Sequence, residues 1–211
     1  MGEIKRGFAD FFKKFWFLLW KDNSLKGWIF SVVFLFVFIK FVFFPFMSLA
    51  TGTELPLAIV ESCSMYHKGN ILSNFNDWFQ GHEEKYSSLD INQTEFSVFP
   101  MKKGFNKGDI LLITRATPEK IKVGDIIIFK SELKNPIIHR VISIKEDSDG
   151  SLIFSTMGDN NNGQLSFEEE ITEGQLVGKA SLKVAPYAGW IKLLFFDWQK
   201  PQSERGFCEE N

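Results

Sequence analysis

The side chains that could do nucleophilic chemistry are concentrated between Val60 and His67. This stretch reads VESCSMYH, with Ser62 and Ser64 on either side of Cys63. A serine hydroxyl is a weak nucleophile until a base removes its proton, so a reactive serine needs a base, an orienting acid and donors for an oxyanion. Two interpretations are open: a strand that ends in a polar turn, or a nucleophilic site held close to a membrane surface, because a long apolar run ends shortly before it.

Three histidines are the candidate bases. His139 lies in the predicted strand PIIHRVISIK, and a neutral imidazole near pH 7 suits general-base catalysis. The alternative is a half-buried strand histidine without a catalytic role. His67 follows Ser64 in a predicted turn, and His82 lies in a polar insert where a solvated side chain is expected.

The candidate acid lies in the segment STMGDNNNGQLSFEEE (155–170), where Asp159 precedes three asparagines. An asparagine-rich loop without catalytic function is the alternative. A calcium-binding loop does not fit, because the glycine such a loop requires is displaced and flanking helices are missing. The two cysteines, Cys63 and Cys208, give no metal-ligand spacing. We expect two free thiols, with one bridge between them as the alternative, and we expect neither a metal nor a cofactor.

Residues 28–50 form an apolar run, WIFSVVFLFVFIKFVFFPFMSLA, which predicts a membrane-spanning helix. A bilayer core requires about 20 apolar residues in a helix. Lys40 interrupts the run near its far end, where its stem can extend toward the outer interface. A buried pair of soluble helices is the alternative, disfavoured because the run has no polar face. The run is too long and begins too late for a cleavable signal peptide.

Charge predicts the orientation of this span. Six basic residues precede it, and the next one after it is Lys68. The positive-inside rule then predicts a single-pass protein with a cytoplasmic N-terminus and an extracytoplasmic domain. The predicted organisation is a cytoplasmic or interfacial amphipathic segment (1–26), a transmembrane helix (27–49), a β-rich domain (50–186), and an amphipathic C-terminal segment with a polar tail (187–211). For residues 8–20 we expect an interfacial helix, with a fold-back hairpin as the alternative.

Beyond Pro56, short apolar runs bounded by turn residues predict a mainly β domain with a curved or barrel-like sheet. The predicted strands lie at 57–62, 109–114, 125–130, 136–145, 151–156 and 175–184. A less regular insert between them includes a helix-like piece at 71–79, and 186–198 is predicted to form an amphipathic helix. The repeated KGDI (107–110) and VGDI (123–126) indicate turns before strands rather than catalytic residues.

The order of these features resembles that of type I signal peptidases, most closely the branch of archaea and the endoplasmic reticulum. The specific parts are LPLAIVESCSMYH and IKVGDIIIF…IIHRVI…GDNN. This resemblance implies Ser64 as the nucleophile and His139 as the base. It further implies that Asp159 orients His139, and that the Ser62 hydroxyl joins the Ser64 backbone N–H in an oxyanion hole.

Two positions depart from that family. Cys63 stands where a glycine is usual, and would be costly if the backbone needed a positive φ there. Leu165 stands where relatives often carry a second aspartate, so the acid is Asp159 alone or Glu168. A thiol nucleophile at Cys63 is disfavoured, because neighbouring side chains in an extended stretch point in opposite directions.

The resemblance implies a membrane-anchored serine endopeptidase that removes N-terminal signal peptides from exported preproteins. The alternative is a catalytically lapsed, membrane-tethered β-domain that binds export or assembly partners. The expected partners are preproteins and the lipid bilayer, and the need for accessory subunits is open. Nucleic acid is not expected, since the net charge is −2 and no basic patch with interleaved aromatic residues is present.

Overall fold

The computed structural model describes residues 2–69, 75–133 and 135–209, without the side chains of residues 2–9 and 203. The chain divides into two compact units, residues 1–50 and 51–211. The helices are α1 (Gly2–Trp20), α2 (Leu25–Phe38), α3 (Phe44–Thr51), α4 (Phe75–Ser87), α5 (Gln93–Ser97) and α6 (Trp190–Phe196). The strands are β1 (Leu57–Ile59), β2 (Ile110–Thr114), β3 (Ile126–Phe129), β4 (Ile137–Glu146), β5 (Leu152–Met157), β6 (Ile171–Thr172) and β7 (Leu176–Ala185).

The first unit is a helical hairpin. The Phe15 ring of α1 lies 5.7 Å from the Phe30 ring and 5.2 Å from the Phe34 ring of α2. The Ser24 hydroxyl caps α2 by accepting a hydrogen bond from the Gly27 N–H at 3.2 Å. Residues 8–20 therefore adopt the fold-back arrangement that the sequence left open as an alternative.

The apolar helix runs from Leu25 to Thr51 and is long and apolar enough to cross a membrane, with 27 residues and a mean hydropathy of 2.5. It widens into a π turn at Ile39–Phe43, which contains Lys40. Pro45 explains the local irregularity, because proline has no backbone N–H to donate and its ring crowds the carbonyl one turn earlier.

The second unit is built on a curled, seven-stranded half-barrel in the order β1-β2-β7-β3-β4-β5-β6. Every neighbouring pair is antiparallel. The prediction of a mainly β, curved sheet is confirmed, and each of the six predicted strands is present. The two-residue strand β6 was not predicted, since so short a run carries no periodic signal.

Three apolar clusters fill the unit. One contains Met65, next to Ser64, with Leu111 and Ile126 of the sheet. Another is aromatic and includes Trp78 of α4 and Phe96 of α5. The third packs against β3, β4 and β5. The insert thus forms two short helices that pack on the sheet; residues 71–74 of the predicted helical piece lie outside the described residues, and α4 begins at Phe75.

The repeated Gly-Asp motifs form the same turn twice. Gly108 has φ +90° and Gly124 has φ +92°, a conformation that favours glycine. The side chain of Asp109 accepts a hydrogen bond from the backbone N–H three residues earlier at 2.8 Å, and that of Asp125 does so at 2.9 Å. Each carboxylate also pairs with a lysine of β7. These aspartates are structural, as the sequence indicated.

The expectation of two free thiols is wrong, because Cys63 and Cys208 form a disulfide. The C-terminal segment is not a loose tail. Its Gly206 N–H donates to the Asp197 carboxylate at 2.9 Å, and this folding back brings the two cysteine Cα atoms to 5.3 Å. Cys63 itself is not among the described residues with positive φ, so its side chain does not strain the backbone there.

Candidate active site

The stretch with the two serines leaves the end of β1 and is pinned on both sides. The Val60 N–H donates to the Asp109 carbonyl at 2.9 Å, and Met65 is buried in the core while its carbonyl accepts from the Phe105 N–H at 2.9 Å. Between these anchors the Ser62 and Ser64 hydroxyl oxygens lie 3.1 Å apart. Ser62 is exposed and Ser64 is half-buried, so both hydroxyls face the same accessible side.

The backbone of Ser64 rests on the loop that follows β5. Its carbonyl accepts a hydrogen bond from the Asn160 N–H at 2.8 Å. A Cβ on Gly158 would lie 2.8 Å from the same carbonyl, so the close approach requires glycine at that position. The GDN segment therefore supports the turn that carries Ser64.

His139 is buried in β4, and its Nδ1 is hydrogen-bonded to the Glu168 carboxylate. A single 3₁₀ turn over Ser166–Glu168 folds the fully buried Glu168 back toward the sheet. The same carboxylate accepts from the Thr156 hydroxyl at 3.1 Å and from the Leu165 N–H at 3.0 Å. These contacts fix the orientation of the imidazole and leave its Nε2 free of the carboxylate.

Ser64 and His139 are attached to the same stretch, residues 156–160, through Asn160 and through Thr156 with Glu168. Among the described residues no hydrogen bond joins the two side chains; the Ser64 hydroxyl is bonded to Ser62 instead. Catalytic hydrogen bonds are often long in the absence of substrate and tighten in the reactive complex. Proton transfer between these two side chains would therefore require the Ser64 hydroxyl to leave its bond with Ser62 and approach His139.

Asp159 is not brought to His139. Its carboxylate accepts from the Arg140 Nη2 at 2.7 Å, from the Tyr86 hydroxyl at 2.9 Å, and lies 2.9 Å from the Nε2 of His67. The physical reason is the alternation of side chains along β4, which sends His139 and Arg140 to opposite faces of the sheet. The partner of His139 is Glu168, the alternative acid that the sequence left open.

Electrostatics fixes the charge of this buried network. Burial by itself raises the pKa of Asp159, but the Arg140 guanidinium and the hydrogen bonds from His67 and Arg140 outweigh it and hold the pKa well below its usual range. Burial lowers the pKa of His67, although its bond to Asp159 opposes the change. The network thus contains a carboxylate, a guanidinium and a neutral imidazole.

Two members of the site were missed by sequence reasoning. Lys85 of α4 donates to the Asp159 carbonyl at 2.6 Å and to the Asn161 carbonyl at 3.0 Å, which holds the GDN loop. Trp78 stacks on the His67 imidazole with centroids 3.4 Å apart. Both come from the irregular insert, where no motif or period marked them. In the part of the chain that the structure describes, no group of three or more His, Cys, Asp or Glu residues could hold a metal.

Comparison with known proteins identifies relatives of this chain. The chain is 34% identical over 108 residues to the signal peptidase complex catalytic subunit SEC11C of Homo sapiens, an alignment that covers 47% of this chain and 55% of the relative. The chain belongs to the type I signal peptidase family. It is also 32% identical over 104 residues to the signal peptidase complex catalytic subunit sec11 of Dictyostelium discoideum, covering 46% of this chain and 57% of that protein.

A further relative is the putative signal peptidase complex catalytic subunit SEC11B of Homo sapiens, 32% identical over 109 residues, with 49% of this chain and 66% of the relative covered. The chain spans about half of the length of the SEC11C subunits it matches, since the alignment covers 55% of each. No family model matches the chain.

Proposed function

We propose that this chain is a membrane-anchored serine endopeptidase that removes N-terminal signal peptides from exported preproteins. The observation that carries the proposal is the buried His139–Glu168 pair, attached to the same loop as the Ser64 turn. It occurs in a chain related to proteins named as signal peptidase catalytic subunits. Acyl transfer by a serine needs a histidine whose orientation is held by a carboxylate, and this pair supplies it.

The residues take the following roles in this proposal. The Ser64 hydroxyl attacks the scissile carbonyl while the Nε2 of His139 accepts its proton. The Glu168 carboxylate, bonded to Nδ1, keeps the imidazole in the correct tautomer and stabilises the imidazolium. The proton then passes to the leaving amine, and a water activated by His139 hydrolyses the acyl-enzyme. Asp159 is assigned a positioning role through Arg140 and His67.

The oxyanion hole is assigned to the Ser62 hydroxyl and the Ser64 backbone N–H. The 3.1 Å separation of the two serine oxygens supports this, because a carbonyl attacked by Ser64 would lie beside the Ser62 hydroxyl. One such donor contributes about 3 kcal/mol of transition-state stabilisation.

The topology of the proposal is a single span, with a cytoplasmic N-terminus and an extracytoplasmic domain. The apolar helix Leu25–Thr51 and the basic residues before it support this orientation. The Cys63–Cys208 disulfide adds independent support, since such bonds persist in oxidising compartments. Because the relatives are named as subunits of a complex, we include accessory subunits among the proposed partners, with preproteins and the bilayer.

Strand β1 suggests how a preprotein would bind. It lies at one edge of the sheet and pairs only with β2 among the described strands. An extended peptide can add to such an edge through backbone hydrogen bonds. Ser62 and Ser64 follow β1 directly, so a peptide aligned along this edge would bring its scissile bond to the serines.

Cleavage of a preprotein by the full chain in proteoliposomes tests the function. Wild type should release the mature protein, and Ser64→Ala and His139→Ala should each abolish release. Ser148→Ala, an exposed serine in the β4–β5 turn, is the matched control and should cleave like wild type. Full activity of Ser64→Ala would refute the assignment.

A further inference from the structure

The disulfide joins the residue between the two serines to the C-terminal segment. Ser62 and Ser64 place their hydroxyl oxygens 3.1 Å apart, and Cys63 lies between them in a turn, where its carbonyl accepts from the Tyr66 N–H at 3.0 Å. The Cys63–Cys208 bond therefore fastens the C-terminal segment to the turn that carries both serines.

The C-terminal segment is itself anchored to the domain before it reaches Cys63. The buried Lys107 amine pairs with Asp197 at 2.5 Å and donates to the Glu204 carbonyl at 2.6 Å. The Phe207 ring packs on the Trp190 ring, with centroids 5.0 Å apart. The segment from Asp197 to Glu209, here called the C-terminal strap, is thus held at both of its ends.

Asn160 adds a noncovalent clamp at the same place. Its side-chain amide donates to the Cys63 carbonyl and to the Glu209 carbonyl, each at 3.1 Å. Its backbone N–H donates to the Ser64 carbonyl at 2.8 Å. Asn160 therefore connects three parts of the molecule: the strap at Glu209, Cys63 between the two serines, and Ser64.

We propose that the C-terminal strap positions Ser62 and Ser64 for catalysis, with the Cys63–Cys208 disulfide and Asn160 as its two attachments, so that activity depends on the redox state of this bond. This inference rests on the proposed function. A dithiol reductant breaks the bond by supplying two electrons and two protons; the protein gains two thiols and the reductant becomes a disulfide. Cys63 would then keep its backbone hydrogen bonds from Asn160 and Tyr66 but lose its covalent bond to the strap.

The test uses the full chain in proteoliposomes, oxidised or treated with dithiothreitol, with the thiol count checked by mass spectrometry. We expect reduction to lower kcat for preprotein cleavage about tenfold with little change in KM, because misplacing a reacting group is costly while the binding edge is untouched. Cys208→Ser should show the reduced value with or without reductant. The Cys63→Ser/Cys208→Ser variant is the control, since the chain contains only these two cysteines, and reductant should not change its rate.

Asn160→Ala in the oxidised chain should also lower kcat more than it raises KM. Hydrogen–deuterium exchange of amides 60–67 supplies a readout that needs no activity and should rise on reduction. Equal kcat in the oxidised and reduced wild type, or a rise in kcat on reduction, would refute the proposal that the strap positions the serines. A wild type that cleaves no preprotein would refute the proposed function. Hydrogen–deuterium exchange at 60–67 that does not change on reduction would refute the positioning role of the strap, whether or not the chain cleaves preproteins.

Discussion

Glu168 holds His139: its carboxylate is hydrogen-bonded to the imidazole Nδ1, and both side chains are buried. The Glu168 carboxylate also accepts from the Thr156 hydroxyl and the Leu165 N–H, and neither contact involves Asp159. Glu168 lies further along the chain than Asp159, and its side chain is one methylene longer than that of an aspartate. The 3₁₀ turn after Leu165 allows this side chain to reach His139. The hydrogen-bond partner of His139 in this chain thus comes from a different position in the loop than Asp159.

Asp159 is predicted to matter for stability. Asp159→Asn leaves the fully buried Arg140 guanidinium without its counter-charge, and breaking a buried pair in this way costs about 3–5 kcal/mol. Urea denaturation of the full chain in micelles, followed by near-UV circular dichroism, measures the loss. Asp149→Asn, at an exposed hairpin, is the control and should cost less than about 1 kcal/mol. Equal stability of the two variants would contradict the stabilising role of the buried Asp159–Arg140 pair.

The stability of the domain should fall as the pH drops below about 6.5, the usual pKa of an unfolded histidine. Burial lowers the pKa of His67 in the folded state, so the unfolded chain binds more protons in this range and stability rises with pH. Asp159, whose pKa is lowered in the folded state, causes a second loss of stability only below about pH 4.

His67→Gln removes the titrating group and should flatten the pH dependence of stability between about pH 5 and 7. His82→Gln is the matched control, because His82 is half-buried and its Nδ1 bonds the Trp78 carbonyl rather than Asp159. Urea denaturation midpoints of the two variants, determined across this pH range, measure the pH dependence of their stability. A slope unchanged by His67→Gln would show that His67 is not the group responsible.

Much of the sheet could be predicted from local chemistry. The strand from Ile126 to Phe129 is an apolar run preceded by a Gly-Asp turn, and both signals lie within a few residues. The hairpin between β4 and β5 is likewise encoded in its own turn, where Gly150 has φ +85°. Such elements depend on neighbours in sequence, which a single chain displays.

The pairing of site residues could not be predicted in the same way. Cys63 and Cys208 are separated by 145 residues, and His139 and Glu168 by 29. The folding back of the C-terminal segment brings the cysteines together, and one 3₁₀ turn brings Glu168 to His139; neither feature leaves a periodic signal. The sequence supplied the candidate side chains, with Glu168 as an alternative, while three-dimensional packing selected among them.

Gly124 is predicted to tolerate no side chain. A Cβ there would lie 2.2 Å from the Phe99 ring, and φ is +92°. Gly124→Ala should therefore cost about 1–3 kcal/mol from backbone strain alone. Gly174→Ala is the control, since nothing lies within 4 Å of its Cβ position. Comparable denaturation midpoints for the two variants would contradict the structural role of the Gly-Asp turn.

Ser62 is predicted to act in the transition state. Ser62→Ala should lower kcat about a hundredfold with little change in KM, because an oxyanion donor is used only when charge develops. Ser62→Thr retains the hydroxyl and should recover part of the rate. Steady-state kinetics on one preprotein measures the three proteins. A rise in KM with unchanged kcat would assign Ser62 to substrate binding instead.

The most direct test of the catalytic account is the kcat of Glu168→Gln for preprotein cleavage, measured beside its exposed neighbour variant Glu169→Gln. Glutamine at 168 keeps the size of the side chain but removes the charge that stabilises the imidazolium. We predict that kcat falls about a thousandfold or more for Glu168→Gln, and that Glu169→Gln matches wild type. Wild-type turnover by Glu168→Gln would contradict the assignment of Glu168 as the partner of His139 in catalysis.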